Sequence, residues 1–257
     1  MIMMNMNLFS SGKVEETASD CIKTQEDIHI LYHGSSIKLQ KPLFGFGKAD
    51  NDYGSGFYTT EDYDRAASWA LLNGDEKNSF VNEYTLDFSN LKIIHLNDFG
   101  LLSWVAEILA NRGTGYEDAE IVIKLMVDKY RIDTTDADVI IGYRADDSYT
   151  EVISAFLEGL LSIDEVERMF YKGSLGDQVF LKSEKAFNSL NFVKADKIAP
   201  TEALTREDYI ARKEVQTFLN KRRGQRVLGL HINGITVQDV LTSDYKYNKE
   251  YGFYELI

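Results

Sequence analysis

The stretch Asn51-Asp52-Tyr53-Gly54-Ser55-Gly56-Phe57-Tyr58-Thr59-Thr60, continued by Glu61-Asp62-Tyr63-Asp64-Arg65-Ala66-Ala67-Ser68-Trp69, decides how this chain is read. Gly54 and Gly56 permit a tight turn or a close approach of backbone to a ligand. Phe57 to Thr60 follow as a short aromatic strand. From Glu61 to Leu72 the apolar residues Ala66, Ala67, Trp69 and Ala70 fall on or near one helical face. The unit is a glycine loop, a strand and a helix. Upstream, Ile28–Tyr32 is a compact apolar strand that ends on His33-Gly34-Ser35-Ser36. That end sets an imidazole beside accessible backbone N–H and C=O groups, and a planar amide ligand can use both. Taken singly, each piece has a commoner reading. Glycine loops are mostly surface turns, a lone histidine is mostly structural, and Tyr58 and Trp69 are mostly core. Their order and spacing together carry the functional reading.

Composition bounds the rest. A hydrophobic content of 44% supports a sizeable core in 257 residues. The 41 acidic against 28 basic residues give a net charge of −13, which argues against broad nucleic-acid binding, since that needs a basic field. The single cysteine, Cys21, excludes an intrachain disulfide and suits a reducing interior. Met1–Asp27 reads as a weakly structured lead-in without the basic start or apolar run of a signal peptide. No stretch approaches the ~20 apolar residues of a membrane span. The expectation is a cytoplasmic protein with no membrane partner.

Downstream, Phe80–Phe88 and Leu91–Leu96 read as strands. Asp98 is the expected N-cap of a helix over Leu101–Ala110, and Glu117–Tyr130 reads as a second helix after the break at Gly113-Thr114-Gly115. Val139–Gly142 is a short buried strand that delivers Tyr143-Arg144-Ala145-Asp146-Asp147-Ser148-Tyr149. Three readings stand for that run. Asp146 caps the next helix; Arg144, Asp146 or Asp147 contacts substrate; or the carboxylates bind a metal, although their spacing fits no standard loop. Helices are expected over Thr150–Leu160 and Ile163–Phe170, with Ser162 as the cap between them. Gly173–Leu181 is a turn feeding a strand, Ser183 caps a short helix, and Leu190–Ala199 is a strand. Thr201–Asn220 is an amphipathic helix running into Lys221-Arg222-Arg223-Gly224-Gln225-Arg226, the one basic cluster. Val227–Ile232 is expected as a strand and Ile235–Leu241 as a short helix. The aromatic tail Tyr245–Tyr254 is expected to clamp onto the domain or a partner. Residues 1–27, 28–200 and 201–257 form the expected lead-in, main domain and helical extension.

Tyr32-His33-Gly34-Ser35, the Gly54–Thr60 run and the helix carrying Trp69 resemble the NAD-binding half of the ADP-ribosyltransferase superfamily, in its His-Tyr-Glu branch. With Gly142–Tyr149 added, the chain more closely resembles the DUF3990 family of bacterial proteins, over roughly Ile28 to Ala199. The resemblance implies an α+β fold: a split mixed β-sheet core with NAD in its cleft, a helical insertion and a helical C-terminal extension. It implies that His33 holds ribose hydroxyls, that the Gly34 backbone grips the nicotinamide carboxamide, and that Ser35 and Thr59 join the NAD-binding set. Tyr58 and Trp69 would sandwich the nicotinamide ring. Ala66 stands where related members often place a Ser that bonds the carboxamide.

The resemblance also implies a carboxylate at the start of the strand after Gly176, aimed at the nicotinamide ribose. Here the matching residue is Gln178, which accepts from a hydroxyl but carries no charge. Neighbours on a strand face opposite ways, so Asp177 replaces it only through a bulge or a shifted register. Leu175-Gly176-Asp177-Gln178 favours Gln178 as the residue facing NAD. The implied activity is transfer of ADP-ribose from NAD to a macromolecule, with His33, Tyr58 and Gln178 as a triad-like set and no metal. The implied role is a toxin or phage-conflict effector with a small antitoxin as partner. An NAD glycohydrolase, an RNA 2′-phosphotransferase and a non-catalytic NAD-binding module are the alternatives. Gln178→Glu is expected to raise activity if the site is a weakened enzyme.

Overall fold

A computed structural model describes residues 27–73, 78–112, 119–145, 147–172, 176–199 and 202–257, with side chains except at 73, 147–149, 171–172 and 202–212. The expected lead-in therefore lies outside the described residues, apart from Asp27. The fold is α+β, with eight α-helices among the described residues and two main sheets.

The first sheet has three antiparallel strands, in the order β1 (Ile28–Ser35), β3 (Phe80–Asp87) and β7 (Leu190–Lys197). The second is mixed, in the order β2 (Phe57–Thr59), β6 (Asp177–Leu181), β5 (Val139–Tyr143) and β4 (Ile93–His95), with β4 and β5 parallel. The two sheets meet at one seam. There Tyr32 and Thr60 exchange backbone hydrogen bonds of 2.7 and 2.9 Å.

Alternation on the strands sorts three cores. Leu31, Tyr84 and Leu86 of the first sheet pack against Phe57, Val139, Val179 and Leu181 of the second. On the outer face of the first sheet, α1 (Tyr63–Asn73) lays Ala66 and Ala67 against Val81. The outer face of the second sheet, with Ile140 and Phe180, is covered by the helices. These are α2 (Leu101–Arg112), α3 (Glu120–Tyr130), α4 (Asp147–Leu157) and α5 (Ile163–Lys172). Helix α2 is buried from Leu101 to Leu109, apolar except for Ser103 and Glu107, and Glu107 pairs with Arg131 at 2.9 Å.

The short helix α6 (Glu184–Ser189) leads into β7, and Ser183 caps it by accepting from the Ala186 amide. The C-terminal segment adds α7 (Glu202–Val227), α8 (Val237–Thr242) and a hairpin of β8 (Tyr245–Asn248) and β9 (Phe253–Leu256). It is not purely helical, and Val215, Leu219, Val240 and Tyr254 complete the helical-layer core.

Several local expectations give way. Val227–Ile232 forms no strand; α7 continues through the basic cluster to Val227 and turns at Gly229, whose φ is +70°. Asp98 does not cap α2. It lies in a 3₁₀ turn, Leu96–Phe99, and pairs with Lys249, while Gly100 at φ +81° makes the corner into the helix. At Ser162 the pattern is half a capping box: the Ser162 amide donates to the Glu165 carboxylate at 3.1 Å, and no helical amide is bonded to its hydroxyl.

Candidate functional site

His33, Gly34, Tyr58, Trp69, Arg144 and Gln178 line one pocket of about 250 Å³, together with Asn51, Asp52, Arg112 and Ala145. Residues from three separated sequence motifs thus converge beside the seam of the split sheet.

His33 does not follow β1, as the sequence suggested, but lies within it. The ladder to β3 runs on to Ser35 opposite Phe80. Its Nδ1 is 2.7 Å from the Tyr58 carbonyl. A carbonyl only accepts, so Nδ1 carries the proton. Burial pushes the imidazole pKa down and outweighs the raising effect of that bond. The ring is then neutral, with Nε2 as an acceptor. Gly34 lies directly under α1: a Cβ there would come within 2.0 Å of the Ala66 carbonyl oxygen. Ala66 is fully buried.

Tyr58 staples the glycine loop. Its hydroxyl donates to the Gly54 carbonyl at 2.7 Å and accepts from the Tyr53 amide at 3.0 Å. Its ring tilts against Phe180 at 4.7 Å. Burial, only partly offset by the bond from the Tyr53 backbone, holds the phenol far above its ordinary pKa. Tyr58 is therefore a neutral platform and not a base. Trp69 carries the Arg144 guanidinium over its face at 4.9 Å, a cation–π contact.

Gln178 points into the pocket, and the pairing of β6 with β5 is continuous through Asp177 and Gln178. No bulge intervenes, so Asp177 faces the opposite way, where it accepts from Asn97 at 2.8 Å. It lines a separate cavity of about 570 Å³ with His29, Glu61 and Asp62. Gln178 is 2% exposed, and its Nε2 donates to Asp52 Oδ2 at 3.0 Å and to the Tyr143 carbonyl at 3.2 Å.

Two expected residues lie elsewhere. Thr59 faces away from Tyr58, as alternation requires, and its hydroxyl donates to the Val179 carbonyl at 2.8 Å. Ser35 donates to the Ile37 carbonyl at 2.6 Å and accepts from Asn82 at 3.1 Å, so it braces the loop after β1. Asp146 lies outside the described residues. Asp147 opens α4, and its side chain is likewise outside them. Among the described residues, no three His, Cys, Asp or Glu side chains are grouped to hold a metal ion.

Sequence reasoning assigned no role to Asp52 or Arg112. Asp52 is 5% exposed. Its Oδ1 accepts from Arg112 Nε at 2.8 Å and lies 2.5 Å from Nη2 in the same ion pair, and its Oδ2 accepts from the Ala145 amide at 2.9 Å. With the Gln178 bond, three hydrogen bonds and the Arg112 ion pair hold this carboxylate. Arg112 also donates to the Ala145 carbonyl at 2.9 Å and to Thr150 at 3.0 Å. Asp52 was visible as the acid leading the glycine loop. Arg112 carried no signal, because it comes from the far end of α2.

No curated protein matches the chain. The model of one family, described as a protein of unknown function, DUF3990, matches residues 29–192. That stretch runs from β1 into β7 and contains every residue of the pocket, and by this match the chain belongs to the DUF3990 family.

Proposed function

We propose that this pocket binds the nicotinamide–ribose part of NAD and that the chain transfers ADP-ribose to a macromolecular acceptor. The observation that carries the reading is the meeting of His33, Tyr58, Trp69 and Gln178 in one pocket from motifs far apart in the sequence. The groups present suit such a ligand. A neutral His33 and the Gln178 amide oxygen accept from ribose hydroxyls, Tyr58 and Trp69 offer ring faces, and Arg144 offers a cation to phosphate. The pocket is smaller than the ~300–1,000 Å³ usual for small-molecule sites, so the rest of a dinucleotide lies over its rim. A ring stacking on Trp69 enters by displacing the Arg144 guanidinium. NAD supplies a cleavable bond between nicotinamide and ribose; the chain supplies placement, stacking and hydroxyl contacts. The proposed core is that of the ADP-ribosyltransferases, and the proposed role a toxin or phage-conflict effector restrained by a small antitoxin.

A second reading, an NAD-binding module without turnover, is favoured by one observation. Among the described residues, the carboxylate that lines the pocket, Asp52, is engaged by Arg112, Ala145 and Gln178, and residue 178 itself is neutral. Nicotinamide release from NAD, measured with and without cell lysate beside a Tyr58→Ala control, separates the readings. Release that depends on Tyr58 and rises with lysate supports transfer. Release indifferent to lysate means hydrolysis. Binding of NAD without release supports the module, and no binding at all defeats the NAD assignment.

A further inference from the structure

We propose that Asp52 is a positioning residue that requires an amide at position 178 and so turns the Gln178 carbonyl oxygen toward a hydroxyl-bearing ligand. Both Nε2 hydrogens of Gln178 are taken, one by Asp52 Oδ2 at 3.0 Å and one by the Tyr143 carbonyl at 3.2 Å. The opposite amide orientation would set Oε1 against two acceptors, so the network leaves one orientation only. Oε1 is then the end of Gln178 that meets the pocket ligand, and the ligand class it suits is a sugar hydroxyl. The anchor is itself fixed: Arg112 and the Ala145 amide hold Asp52, tying the glycine loop to α2, to the segment before α4 and to β6.

The arrangement reverses the expectation for Gln178→Glu. A glutamate there would put a carboxylate oxygen about where Nε2 now donates, facing Asp52 and the Tyr143 carbonyl in a buried site. Like charges so close raise the carboxyl pKa, and an unmatched buried acceptor is costly. Gln178→Glu is a conflict with Asp52 rather than the repair of a missing charge. Asp52→Asn alone also costs stability, because an Asn amide placed at Oδ2 would face the donors of Ala145 and Gln178. In the double variant the amide introduced at position 52 donates to the carboxylate introduced at position 178, and part of the conflict disappears.

The test is a double-mutant cycle on Tm with wild type, Gln178→Glu, Asp52→Asn and Asp52→Asn/Gln178→Glu, each at pH 5 and pH 8. Gln178→Glu is expected to lose roughly 5 °C or more at pH 8. The loss shrinks at pH 5, because a carboxyl whose folded pKa is raised costs least where the unfolded chain is also protonated. The double variant is expected to melt above the sum of the two single losses, or to fold where Gln178→Glu does not. Additive losses, a pH-independent loss, or a double variant no better than Gln178→Glu would overturn the proposal. The cycle reads stability alone, so its failure is distinct from failure of the NAD reading, which nicotinamide release tests separately.

Discussion

His29 and His33 stand four residues apart on β1, and their environments drive them in opposite directions. Both share the strand face that carries Leu31 into the inter-sheet core. His33 is buried at one end of that face, with its proton committed to the Tyr58 carbonyl, and burial lowers its pKa. His29 sits at the other end, stacked on Phe88 at 3.9 Å and placed between Asp27 at 3.1 Å and Glu61 at 2.5 Å. Burial alone would lower its pKa, but the hydrogen bonds and charges of Glu61 and Asp27 together outweigh it and raise it. The signs follow. The unfolded chain takes up a proton near pH ~6.5 that folded His33 refuses, so His33 costs stability as the pH falls through that value. His29 adds stability that is complete below ~6.5 and is lost as the pH rises through its higher folded value. Melting curves from pH 5 to pH 8 should show a shallower acid-side loss in His33→Asn. In His29→Asn they should show stability lost at low pH. If His33→Asn leaves the acid limb unchanged, the neutral assignment fails.

At the scale of elements, close packing of backbone on backbone sets the tolerances. Helix α1 rests on β1 through Gly34, where an added Cβ would also lie 2.5 Å from the Ala70 amide nitrogen. Neither neighbour is a side-chain tip that can swing aside. Gly34→Ala is expected to destabilise by ~3 kcal/mol through overpacking, read as a lower Tm, and to weaken any ligand binding by shifting Trp69. Helix α8 depends on a different device. Thr236 and Asp239 form a capping box, with the Thr236 amide donating to Asp239 at 2.8 Å. The bond lowers the Asp239 pKa. Thr236→Ala is expected to cost ~1 kcal/mol in urea titration, with the m-value unchanged. Asn82 illustrates a third kind of control. Fully buried in β3, it donates to the His33 carbonyl at 3.2 Å and to the Ile37 carbonyl at 3.2 Å, and it accepts from the Leu39 amide at 2.8 Å. One side chain thus fixes the course of the chain leaving His33.

For the whole molecule, the C-terminal segment beyond the family match is part of the working core. The β8–β9 hairpin docks on the turn into α2: the Tyr254 hydroxyl accepts from the Leu102 amide at 2.6 Å, and Tyr247 and Tyr254 close over Gly100. That amide is in the first turn of a helix, where no intrahelical acceptor exists. Tyr254→Phe leaves it buried and unsatisfied, at an expected cost of ~1–3 kcal/mol. The check is a fall in Tm with faster hydrogen exchange at the hairpin amides. Because α2 ends in Arg112, the anchor of Asp52, a loosened hairpin should also weaken ligand binding. Unchanged exchange in the hairpin would show that it docks by apolar packing alone.

Much of the local architecture was legible in the residues. The glycine loop before Phe57, the α1 apolar face, the Ser183 cap and the clamping aromatic tail follow from turn chemistry, a period of 3.6 and capping, which act over a few neighbours. The same rules set Gln178 and Asp177 on opposite faces. Tertiary structure alone decided which partners those residues met. Asp52 reaches Arg112 across 60 residues and Gln178 across 126. Such contacts are chosen by how two sheets and a helical layer pack, and no periodicity records them. It also decided that Ser35 serves the scaffold, because the pairing of β1 with β3 carried on past the end that composition suggested, and it gave Thr59, turned away from Tyr58 by alternation, the Val179 carbonyl as its partner. The local pattern thus determined which residues could form the site, and long-range packing determined that the carboxylate among them holds an amide in place.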